Sequence, residues 1–291
     1  MTASSISACG NYCKHQHVIL LQDAAPMFGG GRCIIAYMVL PKQKAARKVL
    51  TQRVTLADGR ETTVHVLRVS RKALRLRVVR FDRPTRLLDW CQQHAIPNAI
   101  NGGFFGNDIN GAENGAPVGE VWINGQKIAK TMTQFDRGCV YISKQGEIRI
   151  GPRSTLPKRI DGDLLEVGPL LINEGKPVLE LNDEGFSAEA NFFDNDVTIG
   201  RAQRVAIACD SDTVWMAVCE GRSPTEAGFT LGEMADFLKS LGARDALNLD
   251  GGSGSSLVID HKLINKPRMG ADRNFREFPR GREIVTAIIL E

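Results

Sequence analysis

The chain lacks a stretch of 18 or more apolar residues, so no membrane span is expected from a helix. The best signal-peptide candidate, the eight-residue run Cys33 to Leu40, follows a glycine run and is followed by Lys and Arg rather than by a small-residue cleavage site. Basic runs are missing too. No five consecutive basic residues occur, and the densest stretch, from Arg68 to Arg83, alternates charge with apolar residues as strand faces do. A formal net charge of +4 over 291 residues inclines the molecule mildly toward anionic small molecules and excludes a nucleic-acid footprint. The seven cysteines are odd in number, and Cys91, Cys209 and Cys219 lie inside apolar runs. Unpaired, scattered thiols argue against a disulfide framework and predict a reducing, cytoplasmic setting. No Gly-rich loop carries the lysine of a nucleotide-binding P-loop, and no glycine stands two places after Ser253 to complete a serine-hydrolase elbow.

Glycine is abundant, and it stands beside Asn or Asp in Asn101-Gly102, Asn110-Gly111, Asn114-Gly115, Asn124-Gly125 and Asp250-Gly251. Such dipeptides mark tight turns, and many turns between short apolar runs predict a sheet-rich fold. Strands are expected over 64–69, 74–79, 98–100, 118–123, 138–143, 147–150, 169–172, 204–209, 213–219, 246–249, 257–259, 263–264 and 284–290. Two helices are convincing. One covers Arg86 to His94, with Leu87, Leu88 and Cys91 on one side. The other begins at Thr230 as N-cap with Glu233 three residues on, buries Leu231, Met234, Ala235, Leu238 and Leu241, and stops at Gly242 as C-cap. The expected class is therefore α+β, a mixed, strand-rich sheet core with two or three helices over residues 49–291. Residues 1–48 lack periodicity and read as a loosely attached extension, in which Cys9, Cys13, His15 and His17 match no defensible zinc spacing. No metal or cofactor is predicted. The stretch Asn107, Asp108, Asn110, Glu113 and Asn114 has calcium-ligand chemistry without EF-hand spacing, and reads as a solvated or substrate-covering loop.

Two strand-to-loop corners carry chemistry. In Asn248-Leu-Asp250-Gly-Gly-Ser-Gly-Ser-Ser256, buried apolar residues deliver one carboxylate to a loop of three glycines and three serines, where backbone amides and hydroxyls can meet an anion. In Ala99-Ile-Asn-Gly-Gly-Phe-Phe105, a short apolar strand ends in a polar residue, two glycines and two aromatics that either wall a pocket or pack as core. Taken singly, each corner is also ordinary loop punctuation.

Together, and in order, the two corners resemble the phosphodiester glycosidase family. The resemblance runs over about 99–290. It includes Val118-Gly119 with Asn124-Gly125, Gly168-Pro-Leu-Leu171, Arg201-x-x-Arg204-x-Ala206, the Leu231-to-Ala243 helix, Asn265-x-Pro267 and Arg282 before the closing strand. Departures are Gln203-Arg204-Val205 where the family has Pro-Arg-Thr, and Gly281 where a Glu commonly precedes the late Arg.

The resemblance implies a hydrolase that cleaves a sugar C1–O–phosphate linkage of a small-molecule or glycan phosphodiester. Asp250 is the first choice for the carboxylate facing the anomeric carbon, with Glu120 and Asp210 as candidate partners. Arg204 is nominated for the phosphate, with the Gly251 and Gly252 amides, the Ser255 and Ser256 hydroxyls and Arg282 in support. Asn101 is nominated for a sugar hydroxyl, Gly102 and Gly103 for close backbone approach, and Phe104 for the pocket wall. Residue types alone leave open a phosphoglycan-binding module without turnover and a glycosyl-transferring enzyme using the same pocket.

Overall fold

The structure, a computed structural model, describes residues 47–73, 75–106, 115–131, 134–179, 184–186, 200–270 and 276–291. The extension with Cys9, Cys13, His15 and His17, and the 107–114 loop, lie outside them.

Three sheets carry the fold. The first has seven strands in the order β1-β2-β13-β12-β14-β10-β11: β1 (Arg47–Thr55), β2 (Glu61–Ser70), β13 (Thr213–Cys219), β12 (Arg204–Cys209), β14 (Asp245–Asn248), β10 (Leu170–Asn173) and β11 (Lys176–Pro177). The second has the order β16-β15-β4-β19-β3: β16 (Lys262–Leu263), β15 (Leu257–Ile259), β4 (Asn98–Asn101), β19 (Glu283–Leu290) and β3 (Leu76–Arg86). The third has the order β6-β5-β9-β7-β8: β6 (Gln126–Ala129), β5 (Val121–Ile123), β9 (Asp163–Glu166), β7 (Gly138–Ile142) and β8 (Ile148–Pro152). A short ribbon pairs β17 (Arg268–Met269) with β18 (Arg276–Glu277).

One face of the first sheet, through Val205, Ile207, Met216, Val218 and Leu247, packs against inward residues of the other two, among them Ile100, Ile288, Val140 and Leu165. Its opposite face, through Ala206, Ala208, Trp215 and Ala217, receives helix α2 (Leu231–Ser240). Because both faces are buried, β12 and β13 read as continuous apolar runs rather than alternating ones. Helix α1 (Leu87–Gln93) covers the outer face of the second sheet through Leu87, Leu88 and Cys91.

The α2 N-terminus forms as its residues dictate. Glu233 N donates to Thr230 Oγ1 at 3.1 Å and Thr230 N donates to the Glu233 carboxylate at 2.8 Å. Phe237 joins the buried stripe, and the C-cap is Leu241, with Gly242 following it at φ +95°. The strand-rich α+β expectation is compatible with the structure, in which the helices are few. Every strand pairing among the described residues is antiparallel, and these residues hold two α-helices, so the architecture is mainly β. Short turns join β1–β2, β5–β6, β7–β8, β10–β11, β12–β13 and β15–β16 as antiparallel hairpins. No helix among the described residues is long and apolar enough to cross a membrane.

Candidate functional site

The two corners belong to different sheets and meet where those sheets join. Asn101 ends β4, and its side chain spans the junction. Its Nδ2 donates to the Asp250 carbonyl at 2.6 Å, and its Oδ1 accepts from Ser256 N at 2.8 Å. The main chain repeats the clasp, with Asp250 N donating to Gly102 O at 3.0 Å and Asn101 N to Ser256 O at 3.0 Å. Gly102 is locked against β19: its N–H donates to Thr286 O at 2.8 Å, Gly103 N donates to Thr286 Oγ1 at 2.9 Å, and a Cβ on Gly102 would lie 2.4 Å from that hydroxyl. Only glycine fits such an approach.

Beyond β14 the chain wraps Asp250 closely, so that a Cβ on Gly254 would lie 2.8 Å from Asp250 Oδ2. The residue is half-buried but its carboxyl is enclosed, and burial pushes the pKa up to about 7 against the pull of Arg282 and Arg222. Arg282 NH1 donates to Ser253 Oγ at 2.6 Å. The Arg222 guanidinium lies over Gly252, its nitrogens 3.0 and 3.2 Å from where a Cβ would stand, and NH1 donates to Arg268 O at 3.3 Å. Gly252 (φ +58°) meets both demands of this position, a left-handed backbone and no side chain. Arg222 holds φ +56°, a conformation disfavoured outside glycine that clusters at functional sites. Asp250, Gly251, Gly252, Arg222, Arg282 and Phe104 all keep partial exposure, and Arg282 and Arg222 both act on the Asp250 carboxyl, so this cluster is the mouth of the candidate site.

On the other flank of the turn, Phe104 packs against Phe186 (centroids 5.9 Å apart), and the Arg137 guanidinium lies 4.5 Å from the Phe186 ring centroid. Beneath them are two carboxyls the sequence reading passed over. Glu184 accepts from Gly138 N and Leu170 N, each at 2.7 Å, and Glu166 accepts from Thr131 Oγ1 at 2.8 Å and Glu120 N at 3.1 Å. Burial raises both pKa values.

Several nominated residues serve elsewhere. Arg204 is buried and donates to Phe229 O (2.9 Å) and Gly200 O (2.6 Å), and desolvation draws its pKa down to about 10. Glu120 accepts from Trp122 Nε1 (2.7 Å), Arg153 Nε (2.7 Å) and Lys127 Nζ (2.5 Å). Burial raises its pKa, but these donors outweigh that and hold it below the usual value, which makes it a saturated structural carboxylate. Asp210 caps the β12–β13 turn by accepting from Asp212 N (2.7 Å) and Thr213 N (2.6 Å). It sits at the far end of β12 from Asp250, roughly 20 Å away at strand rise. Ser255 and Ser256 are fully buried with no hydroxyl partner among the described residues, whereas Ser253 Oγ accepts from Arg282. The Gly252 amide is taken by Gln203 O at 2.9 Å, while the Gly251 amide makes no hydrogen bond among the described residues. Asn101 is fully buried, and its side-chain amide is engaged at both ends by the clasp. Arg222 was missed because no spacing rule links a Gly-Arg-Ser-Pro turn to a carboxylate on a later strand; its only signal was a lone cation closing a buried strand.

A cleft of about 460 Å³ lies at the opposite end of the first sheet, lined by Arg71, Glu147, Arg149, Asn173, Arg244 and Asp245 among others. Its charges balance and its one thiol, Cys209, is pushed up to about 12 by burial, so it lacks the reactive group that the Asp250 mouth has.

The phosphodiester glycosidase family model matches residues 95–290, which takes in both corners, β12 to β14 and Arg282. The chain belongs to that family. Solved structures share the fold, among them two that differ in how much of their length this chain spans. A hypothetical protein from Synechocystis superposes with a TM-score of 0.64 at 19% identity, covering 84% of this chain, which spans 62% of that protein's length. The catalytic domain of zebrafish N-acetylglucosamine-1-phosphodiester alpha-N-acetylglucosaminidase, auto-inhibited by its pro-peptide, superposes with a TM-score of 0.66 at 17% identity, covering 86% of this chain and 85% of that one. No curated protein matches.

Proposed function

We propose that this phosphodiester glycosidase-family chain hydrolyses the glycosyl–phosphate bond of a sugar-1-phosphodiester, releasing free sugar and a phosphomonoester. The observation that carries the reading is the half-buried Asp250, its carboxyl enclosed by a Gly/Ser loop and flanked by the charges of Arg222 and Arg282. A phosphodiester is anionic and its phosphate is a good leaving group, so the site needs charge neutralisation more than a strong acid. Arg222 and Arg282, aided by Ser253 and the Gly251 amide, receive the phosphate. Phe104, backed by Phe186, walls the sugar side. Asp250, ionised, takes a proton from water. The water oxygen bonds to the anomeric carbon as the C1–O bond breaks, and its electron pair leaves on the phosphate oxygen. A pKa near 7 suits a general base at neutral pH.

The test is sugar and phosphomonoester release from a panel of sugar-1-phosphodiesters. Asp250→Asn lowers kcat by about 10²–10⁴-fold while substrate affinity stays within a few-fold of wild type. Undiminished turnover would remove Asp250 from the chemistry. Binding without turnover by wild type across the panel would favour a binding module.

A further inference from the structure

Arg222 combines a left-handed backbone (φ +56°) with a long side chain that reaches out of its own turn. Its guanidinium reaches Arg268 O, and the segment carrying that carbonyl is itself clamped. Gln203, fully buried, holds it at both ends: Nε2 donates to Lys266 O at 2.8 Å and Oε1 accepts from Arg268 N at 2.8 Å. The Gln203 carbonyl accepts from Gly252 N at 2.9 Å, in the loop over which the Arg222 guanidinium lies. One residue therefore holds both the main chain of Arg268, whose carbonyl Arg222 bonds, and the glycine that Arg222 covers. Below this layer, the buried Arg268 side chain pairs with Glu220 at 3.2 Å and donates to Gly221 O at 3.3 Å, tying the segment to the residues just before Arg222. Glu220 in turn accepts from Lys266 N at 2.9 Å. An Arg side chain free to sample its rotamers loses more entropy on meeting a ligand than one already held.

We propose that Gln203 is a positioning residue for Arg222: its side-chain amide sets the place of the Arg268 carbonyl, and so holds the Arg222 guanidinium over the Gly252 loop in the pose that receives an anionic phosphate. This rests on the reading of the Asp250 mouth as a phosphate site, and Gln203 itself touches no ligand. The side-chain amide makes this placement: a leucine of similar size would fill the space and leave Lys266 O and Arg268 N without their partner.

The experiment measures binding of inorganic phosphate by calorimetry, which needs no turnover, in wild type, Gln203→Leu, Arg222→Ala and the double variant. Gln203→Leu weakens phosphate by about tenfold, the worth of one charge-assisted contact held out of place. The double variant binds no more weakly than Arg222→Ala alone, because Gln203 acts through Arg222. A Gln203→Glu variant, which keeps the acceptor for Arg268 N and loses the donor to Lys266 O, falls between wild type and Gln203→Leu, and replaces the latter if that protein does not fold. Effects of Gln203→Leu and Arg222→Ala that multiply, or a Gln203→Leu affinity equal to wild type, would overturn the proposal. So would a wild type that does not bind phosphate. Phosphate binding that Gln203→Leu weakens, with no sugar released from any phosphodiester, would leave this inference standing and overturn only the hydrolase reading.

Discussion

Asp250 keeps its proton well above the ordinary carboxylate range because burial of its carboxyl disfavours the charged form, and two arginines offset only part of that cost. A base must be ionised to act, so kcat/KM for a sugar-1-phosphodiester should fall as pH drops below about 7, while the phosphodiester stays anionic throughout. The sign of the arginine contribution follows from the same balance. Arg282 favours the carboxylate form, so Arg282→Gln raises the Asp250 pKa and moves the acid limb to higher pH, in addition to weakening the substrate. The pH profile of kcat/KM for the two proteins checks this, and an unmoved limb would mean that Asp250 does not feel Arg282 or does not act as the base.

At the scale of elements, the site depends on how closely β4 lies against β19. Gly102 is the contact point, and an added methyl would meet Thr286 Oγ1 at 2.4 Å and the Thr286 backbone at 2.8 Å. Backbone cannot swing aside as a flexible side chain can, so β4 must shift along the sheet. Gly102→Ala should therefore destabilise by about 1–3 kcal/mol, and it should lower kcat/KM as well, because Asp250 N hangs from Gly102 O. Denaturant unfolding and kinetics on the same preparation test both halves; a fall in stability with wild-type kinetics would detach the turn from the carboxylate. The glycines and asparagines of these turns were legible in the sequence as turn formers, whereas the partner they approach was not, since Thr286 is far along the chain and on another strand.

At the scale of the whole molecule, the arginines divide by burial rather than by motif. Arg204, singled out from its place in a family segment, is sealed behind the first sheet on main-chain carbonyls. Arg204→Ala should cost about 2–4 kcal/mol in unfolding free energy through two buried carbonyls left without donors and a lost side-chain volume. The folded fraction should bind phosphate as wild type does. A large loss of phosphate affinity with stability intact would return Arg204 to the site. Arg222, unremarkable in the sequence, is the one that the tertiary structure brings beside Arg282.

The sequence by itself determined the strand-rich character, most strand positions, both helices with their buried faces, the Thr230 capping box of the second, and the two glycine-bearing corners with Asp250 at the end of a buried strand. These are local properties: turn chemistry, hydrophobic period and capping act over a few residues. Tertiary structure alone decided which polar groups share a space. It set Asp210 at the wrong end of β12, saturated Glu120 with three donors, turned Ser255 and Ser256 inward, spent Asn101 on the clasp between sheets, and assembled Asp250, Arg222 and Arg282 from three separate segments. The physical reason is that burial and charge pairing depend on contacts between residues distant in the chain, and antiparallel pairing across three sheets brings those distant residues together in ways that no local pattern encodes.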